Sequence, residues 1–202
     1  MIGLVNYGSG NYKSLSNVLD FLNVKHQKIS SPEDFTKVSH IILPGVGSYS
    51  GLIEQLKKKK LFDELNYNIR DKKKPFLGIC VGMQILSEEG EENIITKGLN
   101  LVKGKTIKIP TKKLRLPNIG WHNINLKKKN ILFKDIEENE LFFYFVHSFF
   151  LKVENHEIVT STIFFEHEVT ASIQSDNIFA VQFHPEKSQV AGCKLLNNFI
   201  NL

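Results

Sequence analysis

The chain has 202 residues, of which 42% are hydrophobic and 23% are charged, with a formal net charge of +5 at pH 7. This composition is typical of a soluble globular protein, and we expect residues 1–202 to form a single domain. No stretch reaches the length of a membrane span, and residues 1–11 lack a signal-peptide pattern, which favours a cytoplasmic protein without membrane contact. The two cysteines, Cys80 and Cys193, exclude a disulfide framework.

The positive charge comes largely from runs of lysine that are scattered along the chain. They lie at residues 57–60, 72–74, 112–113 and 127–129, without interleaved aromatic residues. Proteins that bind single-stranded nucleic acid combine basic residues with stacking aromatics, so a solvated surface is favoured over nucleic-acid binding. Part of this surface remains a candidate for steering a phosphorylated substrate or an acidic partner.

The amino-terminal half predicts three successive units of strand, loop and helix. Residues 2–5, 39–43 and 75–79 are short apolar runs typical of buried strands, and a turn and helical spacing follow each of them. This order predicts an α/β fold with a mainly parallel sheet and functional loops at the carboxyl ends of its strands. The turn Gly8-Ser9-Gly10 lacks the third glycine of a dinucleotide fingerprint and the lysine of a P-loop, so a nucleotide site is disfavoured.

From residue 99 onward the pattern changes to short alternating segments, which predict a strand-rich and partly antiparallel region. The run 142–150 is so aromatic that it must be largely buried, yet it contains the polar pair His147-Ser148. Buried polar groups need partners, so this pair either caps a neighbouring strand or faces a site. An amphipathic helix is expected over residues 190–201, where Cys193 is predicted to pack rather than react.

Cys80 lies where the third apolar run gives way to a helical pattern that begins at residues 83–86. Gly78 and Gly82 flank it, and small neighbours allow a strained turn to push one side chain outward. A helix that starts just after the sulfur also stabilises its anionic form. On this frame alone, a nucleophile and an ordinary buried cysteine are equally favoured.

His184 and Glu186 follow the last predicted strand at positions i and i+2, which puts both side chains on one face. A carboxylate orients an imidazole and stabilises its protonated form, and the imidazole can take a proton from a thiol. The glycines of residues 45–47 could present backbone N–H groups to an oxyanion, although an ordinary tight turn is equally consistent with them. Together with Cys80, these features predict a thiol-dependent hydrolase.

Five motifs, in this order along the chain, resemble those of the triad (class I) glutamine amidotransferases. They are Pro44-Gly45-Val46-Gly47, Gly78-Ile79-Cys80-Val81-Gly82-Met83-Gln84, Pro117-Asn118-Ile119-Gly120-Trp121, Tyr144-Phe145-Val146-His147-Ser148 and Phe183-His184-Pro185-Glu186-Lys187-Ser188. The match covers nearly the whole chain. Within the family, the motifs resemble one branch in particular, the glutaminase subunit of imidazole glycerol phosphate synthase from histidine biosynthesis. The resemblance implies a flavodoxin-like fold, with a mainly parallel central sheet flanked by helices.

The same resemblance implies hydrolysis of glutamine to glutamate and ammonia. Cys80 would attack the side-chain amide, His184 would protonate the departing ammonia, and Glu186 would orient His184. Backbone N–H groups around Gly47 and Val81 would hold the oxyanion. The expected lining of the glutamine pocket is Gln84, Glu92, His147 and Ser148. No metal or cofactor is implied.

In this family the ammonia enters a separate cyclase subunit with a (β/α)8-barrel fold, so the resemblance implies a heterodimer. Asn11, Trp121, Tyr144 and Lys187 match positions at or near that interface. The lone tryptophan also suits an interface on physical grounds, because large amphipathic rings concentrate there. We expect the isolated chain to be nearly inactive, since a flexible oxyanion loop is formed fully only in a closed complex.

One departure from the family pattern lies beside the expected interface. The family usually has His after the proline of the Pro-x-x-Gly-Trp motif and Asn after the tryptophan, whereas this chain has Asn118 and His122. The alternative is therefore a paralogous glutaminase subunit that supplies ammonia for amidino groups on bacterial surface sugars. A stand-alone Cys-His-Glu hydrolase and a non-catalytic partner-binding module rank below it.

Overall fold

Fourteen strands and five helices, with short 3-10 turns between them, make up residues 1–8 and 11–202, which are the residues that the computed structural model describes. Ser9 and Gly10 of the predicted glycine turn lie outside the described residues. The strands are β1 Ile2–Val5, β2 His26–Ile29, β3 His40–Gly45, β4 Phe76–Cys80, β5 Glu89–Gly90, β6 Thr96–Lys97, β7 Gly104–Lys108, β8 Asn118–Asn123, β9 Asn125–Leu126, β10 Phe142–His147, β11 Phe149–Val153, β12 Val159–Phe165, β13 His167–Ser175 and β14 Ile178–Val181. The helices are α1 Tyr12–Phe21, α2 Tyr49–Lys58, α3 Phe62–Arg70, α4 Val81–Gln84 and α5 Gln189–Ile200.

An eight-stranded sheet forms the centre of the fold, in the order β2-β1-β3-β4-β14-β13-β12-β9. The strands from β2 to β14 pair in parallel, and those from β14 to β9 pair antiparallel. Every residue of β1, β4 and β14 is buried, which explains their continuous apolar sequences. The predicted α/β fold with a mainly parallel central sheet is confirmed.

Four of the helices bury a stripe of apolar side chains in the core shared with the sheet. In α2 this stripe consists of Tyr49, Leu52, Ile53 and Leu56, so that each member lies three or four residues from another, as in an amphipathic helix. In α5 the carboxyl-terminal part of the stripe includes Leu195 and Phe199. No helix in the described part of the chain is long and apolar enough to cross a membrane.

Two smaller sheets stand beside the central one. β8 pairs antiparallel with β10, and the other small sheet has the order β11-β7-β5-β6. The sequence predicts a single segment over residues 140–150, whereas the structure divides it at Ser148, because β10 pairs with β8 and β11 pairs with β7. This division places the polar pair His147-Ser148 at a junction between two sheets.

The helix after Cys80 differs from the prediction. The pattern predicts a helix that begins at residues 83–86, but α4 is a single turn that starts at Val81 and ends at Gln84. The hydroxyl groups of Ser87 and Thr106 both donate to the Gln84 carbonyl, at 2.8 and 2.9 Å. These side chains satisfy the last carbonyl of the turn, so the chain leaves the helix there.

Candidate active site

Cys80 occupies a strained turn between β4 and α4. Its backbone has φ +55° and ψ −114°, a region that residues other than glycine rarely adopt. The turn packs closely on β3: a Cβ on Gly82 would lie 2.3 Å from the Leu43 carbonyl oxygen, and one on Gly45 would lie 2.1 Å from the Gly82 nitrogen. These two glycines therefore permit the close approach that holds Cys80 in its strained conformation.

His184 reaches Cys80 because β14 lies next to β4 in the central sheet. The ring donates from Nδ1 to Glu186 Oε1 at 2.7 Å, and the two side chains are only 2% and 1% exposed. Burial by itself would lower the pKa of His184, but the interactions with Cys80 and Glu186 outweigh it and raise the pKa to about 10. The ring is therefore an imidazolium at neutral pH, and because Nδ1 is engaged with Glu186, Nε2 is the nitrogen available to the sulfur.

Neighbouring side chains hold Glu186 and the backbone of His184 in place. The Asn11 amide donates to Glu186 Oε1 at 2.6 Å, so this oxygen accepts two hydrogen bonds. The Ser188 hydroxyl donates to the His184 carbonyl at 2.7 Å and accepts from the Tyr144 N–H at 3.1 Å. Asn11 thus holds the Glu186 carboxylate, and Ser188 holds the backbone that carries the His184 imidazole.

A cavity of about 300 Å³ opens in front of Cys80. This volume is at the lower end of the range of small-ligand pockets, about 300–1,000 Å³, and suits a molecule the size of an amino acid. The structure brings eight of the predicted residues together in its wall: Gly47, Cys80, Val81, Gln84, Glu92, His147, Ser148 and His184. Val46, Pro117, Val146 and Phe149 complete the lining.

Two of the predicted pocket residues also make hydrogen bonds within the protein. The Gln84 amide donates to the Phe149 carbonyl at 2.8 Å and to Gln182 Oε1 at 3.0 Å. Glu92 Oε2 accepts from the Tyr49 N–H at 2.7 Å, at the first residue of α2. These contacts fix the positions of both side chains before any ligand is present.

The glycine-rich loop after β3 reaches the cavity at Val46 and Gly47. Gly47 has φ +89°, a left-handed conformation that glycine adopts without strain. The N–H of Val46 donates to the hydroxyl of Tyr7 at 3.1 Å, so this group is engaged with the core. Sequence reasoning gave Tyr7 no role, because nothing in its spacing connects it with the loop.

Gln182 is a second residue that sequence reasoning missed. It is fully buried, and its amide nitrogen lies 3.6 Å from Cys80 Sγ, within range of an N–H···S hydrogen bond. A signal was present: Gln182 is a polar residue in an apolar run, two positions before His184 and so on the same face of an extended chain. The structure thus adds one donor to the surroundings of the sulfur.

Three of the predicted interface residues form one cluster. Trp121 and Lys187 are exposed and Tyr144 is half-buried, and Lys187 Nζ lies 5.5 Å from the centre of the Tyr144 ring. Phe142, which the sequence assigned to the core, is 44% exposed and stacks on Trp121 at 5.6 Å. Asn11 donates to Glu186, which precedes Lys187 in the chain.

Within residues 1–8 and 11–202, no group of three or more His, Cys, Asp or Glu side chains is placed to hold a metal ion. Cys193 is half-buried in α5 and stays outside the cavity.

The whole chain is similar to known proteins. The family model for glutamine amidotransferase class-I matches residues 4–202. The chain is 38% identical over the full length of both proteins to imidazole glycerol phosphate synthase subunit HisH 1 of Campylobacter jejuni strain RM1221. It is 39% identical, over 99% of this chain and 98% of the relative, to subunit HisH 2 of Methanococcus maripaludis, and 40% identical over full length to subunit HisH of Methanocaldococcus jannaschii.

Solved structures share the fold at much lower sequence identity. A crystal structure of a glutamine amidotransferase superposes with a TM-score of 0.75 at 14% identity, covering 99% of this chain and 97% of that one. PurLQS from Thermotoga maritima gives a TM-score of 0.76 at 18% identity with the same coverage. At this identity the likeness establishes the fold alone.

Proposed function

The chain belongs to the class I glutamine amidotransferase family, and from this membership we propose that it is the glutaminase subunit of an imidazole glycerol phosphate synthase. It hydrolyses glutamine and supplies the ammonia to a cyclase subunit in histidine biosynthesis. We assign this activity to one glutaminase domain, residues 1–202, that acts in the cytoplasm. The single observation that carries the mechanism is the arrangement of Cys80, His184 and Glu186 at one amino-acid-sized cavity.

The reaction begins with attack of the Cys80 thiolate on the side-chain amide carbon of glutamine. The bond between sulfur and carbon forms, and the carbonyl oxygen becomes an oxyanion. His184, already protonated, gives its Nε2 proton to the amide nitrogen, the C–N bond breaks, and ammonia leaves with a thioester remaining. Water then attacks the thioester while His184 takes up its proton, which releases glutamate and restores the thiolate. Glu186 keeps the imidazole in the orientation that both steps need.

The cavity wall supplies the remaining parts of the site. Gly47, on the loop after β3, and Val81, at the start of α4, both line the cavity, and we assign their backbone N–H groups to the oxyanion. Gln84, Glu92 and the pair 147–148 would bind the amino-acid end of glutamine. The carboxylate of Glu92 suits the substrate's ammonium group, because it is the anionic side chain of the cavity lining.

The partner would dock on the exposed aromatic cluster. Trp121 and Phe142 expose ring surface on the β8 and β10 sheet, Tyr144 lies half-buried beside Trp121, and Lys187 adds a charge at the edge. Aromatic anchors with a basic rim are typical of protein interfaces. We assign this surface to a (β/α)8-barrel cyclase and the assembly to a heterodimer. We expect the free chain to be nearly inactive, because the hydrogen bond from the Val46 N–H to Tyr7 holds the loop that carries Gly47 against the core.

A second candidate function keeps the chemistry and changes the partner. In it the chain supplies ammonia for amidino groups on a bacterial surface sugar. One observation favours it: Asn118 and His122 differ from the usual family pattern near the interface.

The deciding experiment measures product formation by the histidine-pathway cyclase from the same genome, with either glutamine or free ammonia as nitrogen source. We expect glutamine to support synthesis only when this chain is present. Replacement Cys80→Ala should abolish the glutamine-dependent reaction and leave the ammonia-dependent one intact. A cyclase that ignores the chain, while Cys80 still reacts with the chloroketone analogue of glutamine, would instead support the sugar-amidination partner.

A further inference from the structure

A row of hydrogen bonds joins strand β8 to the wall of the glutamine cavity. His122 Nε2 lies 2.8 Å from Asn118 Oδ1, and Asn118 Nδ2 lies 3.2 Å from His147 Nε2. His147 Nδ1 in turn lies 2.9 Å from the carbonyl oxygen of Phe149. Asn118 and His147 are buried, His122 is half-buried, and His147 lines the cavity.

The chemistry of the groups fixes the direction of each bond. A carbonyl oxygen only accepts, so His147 must donate from Nδ1 to Phe149. Burial lowers the pKa of His147 to about 4, which leaves the ring neutral and its Nε2 a lone-pair acceptor. Asn118 must therefore present its NH₂ group to His147 and its oxygen to His122, and His122 must donate from Nε2.

Both ring nitrogens of His147 are thus committed to the protein, so it is the backbone of His147, and not its ring, that is available to bind glutamine. The ring instead connects the end of β10 to the start of β11 through its hydrogen bond to the Phe149 carbonyl. The Phe149 carbonyl at that junction also accepts from Gln84, another residue of the cavity wall. Whatever orients the His147 ring therefore also sets the backbone around Ser148, which lines the cavity.

We propose that His122 is a positioning residue for the glutamine pocket: through Asn118 it fixes the neutral His147 ring and thereby the backbone of residues 147–149. It touches no part of the cavity itself. The identity of the ligand rests on the proposed function, whereas the effect of His122 on the His147 ring does not. Sequence alone placed His122 beside the interface and gave it no link to the pocket.

A purely structural role for His122 makes a different prediction. Its ring packs edge-on against Phe145 at 5.6 Å and against Phe165 at 6.3 Å between ring centres. If packing were its only role, the aromatic replacement His122→Phe would preserve the pocket. The replacement His122→Gln, whose amide N–H reaches about as far as Nε2, would lose packing but keep the donor. The two variants therefore separate the two roles.

The test measures how fast the chloroketone analogue of glutamine labels Cys80 in the full-length chain, as a function of its concentration. Iodoacetamide, which lacks the amino-acid end, serves as the control reagent. We expect His122→Phe to raise the half-saturating concentration of the chloroketone by roughly three- to tenfold, the effect of one buried hydrogen bond. The labelling rate at saturation and the iodoacetamide rate should stay unchanged, and His122→Gln should behave like the natural protein.

Nitrogen NMR of His147 provides a readout that does not depend on glutamine. The natural protein should show a protonated Nδ1 and an unprotonated Nε2, and His122→Phe should mix the two tautomers. Asn118→Asp, which can accept from His122 but cannot donate to His147, should turn His147 into the imidazolium. Unchanged half-saturation and an unchanged His147 spectrum in His122→Phe would overturn the proposal. A natural protein that never saturates with the chloroketone contradicts the proposed function, and the His147 spectra then decide the positioning role.

Discussion

Asn11 donates a hydrogen bond to Glu186 at 2.6 Å, and the oxygen that accepts it is the one that holds His184. Removal of this donor should let Glu186 turn away from the imidazole. We expect Asn11→Ala to lower the kcat of the complex for glutamine roughly tenfold, since hydrogen bonds to charged groups contribute about 1.5–3 kcal/mol. Asn11→Asp should cost more, because its carboxylate would repel Glu186.

Steady-state kinetics with glutamine checks this prediction, and titration with the cyclase controls for partner docking. The exposed replacement Asn197→Ala on α5 is the matched control. A loss that disappears at saturating cyclase would show that Asn11 serves the interface rather than the triad.

Gln182 should make the Cys80 sulfur more reactive, because its buried amide donates toward Sγ at 3.6 Å. In a Cys193→Ser background, where Cys80 is the single thiol, we expect Gln182→Leu to slow alkylation by iodoacetamide several-fold. Gln182→Glu should slow it further, because a carboxylate replaces the donor with a negative charge beside the thiolate. Equal alkylation rates in all three proteins would contradict this role.

His184 should give the protein a characteristic loss of stability and activity at alkaline pH. Its pKa in the folded state, about 10, lies above the value of about 6.5 in an unfolded chain. The protonated ring therefore stabilises the fold fully below about pH 6.5, and this contribution is lost as the pH rises through the folded pKa. The kcat should fall over the same alkaline limb, because the general acid loses its proton.

Urea unfolding between pH 6 and 10 measures how the free energy of unfolding changes with pH and so checks this prediction. Glu186→Gln, which removes the charge beside the ring, should move the loss to lower pH. A pH dependence that is the same in both proteins would contradict the assignment to His184.

Glu166 should hold the segment that leads to the cavity lining at Pro117. Its carboxylate accepts from the backbone N–H groups of Lys112 and Lys113, at 2.9 and 2.8 Å, and from that of Leu114. These hydrogen bonds lower the pKa of Glu166 from the usual 4.5 to about 2, and the bond from Lys112 has the largest effect. Their stabilising effect is therefore present above about pH 4.5 and is lost as the pH falls through 2.

We expect Glu166→Gln to speed hydrogen exchange of the amides at residues 112–114 by roughly tenfold at neutral pH. The exposed replacement Glu157→Gln is the control. Unchanged exchange would show that the segment is held by other contacts.

Much of the fold could be predicted from the sequence, because the buried parallel strands have continuous apolar runs and the glycines around Cys80 mark a tight turn. The length of α4 could not be predicted, because side chains from residues 87 and 106 end it. The exposure of Phe142 could not be predicted either, because a run of aromatic residues has the same sequence whether one face or both faces of its strand are buried.

The motifs indicated the nucleophile, the imidazole and the carboxylate, together with the cavity lining. The side chains that hold these residues in place could not be predicted from the motifs. Asn11, Gln182 and Tyr7 meet the site through pairings between segments far apart along the chain, and a sequence without a structure does not show which polar side chains such pairings bring together.

The position of β14 in the sheet affects how the protein is made. This strand lies between β4 and β13, yet it follows them in the chain, at Ile178–Val181. While the ribosome is still synthesising the preceding residues, one edge of the wholly apolar β4 has no partner, and exposed apolar edges promote association between nascent chains. Cys80 has been synthesised at that stage, but its base has not. The thiol therefore acquires its imidazole partner only when β14 has completed the sheet.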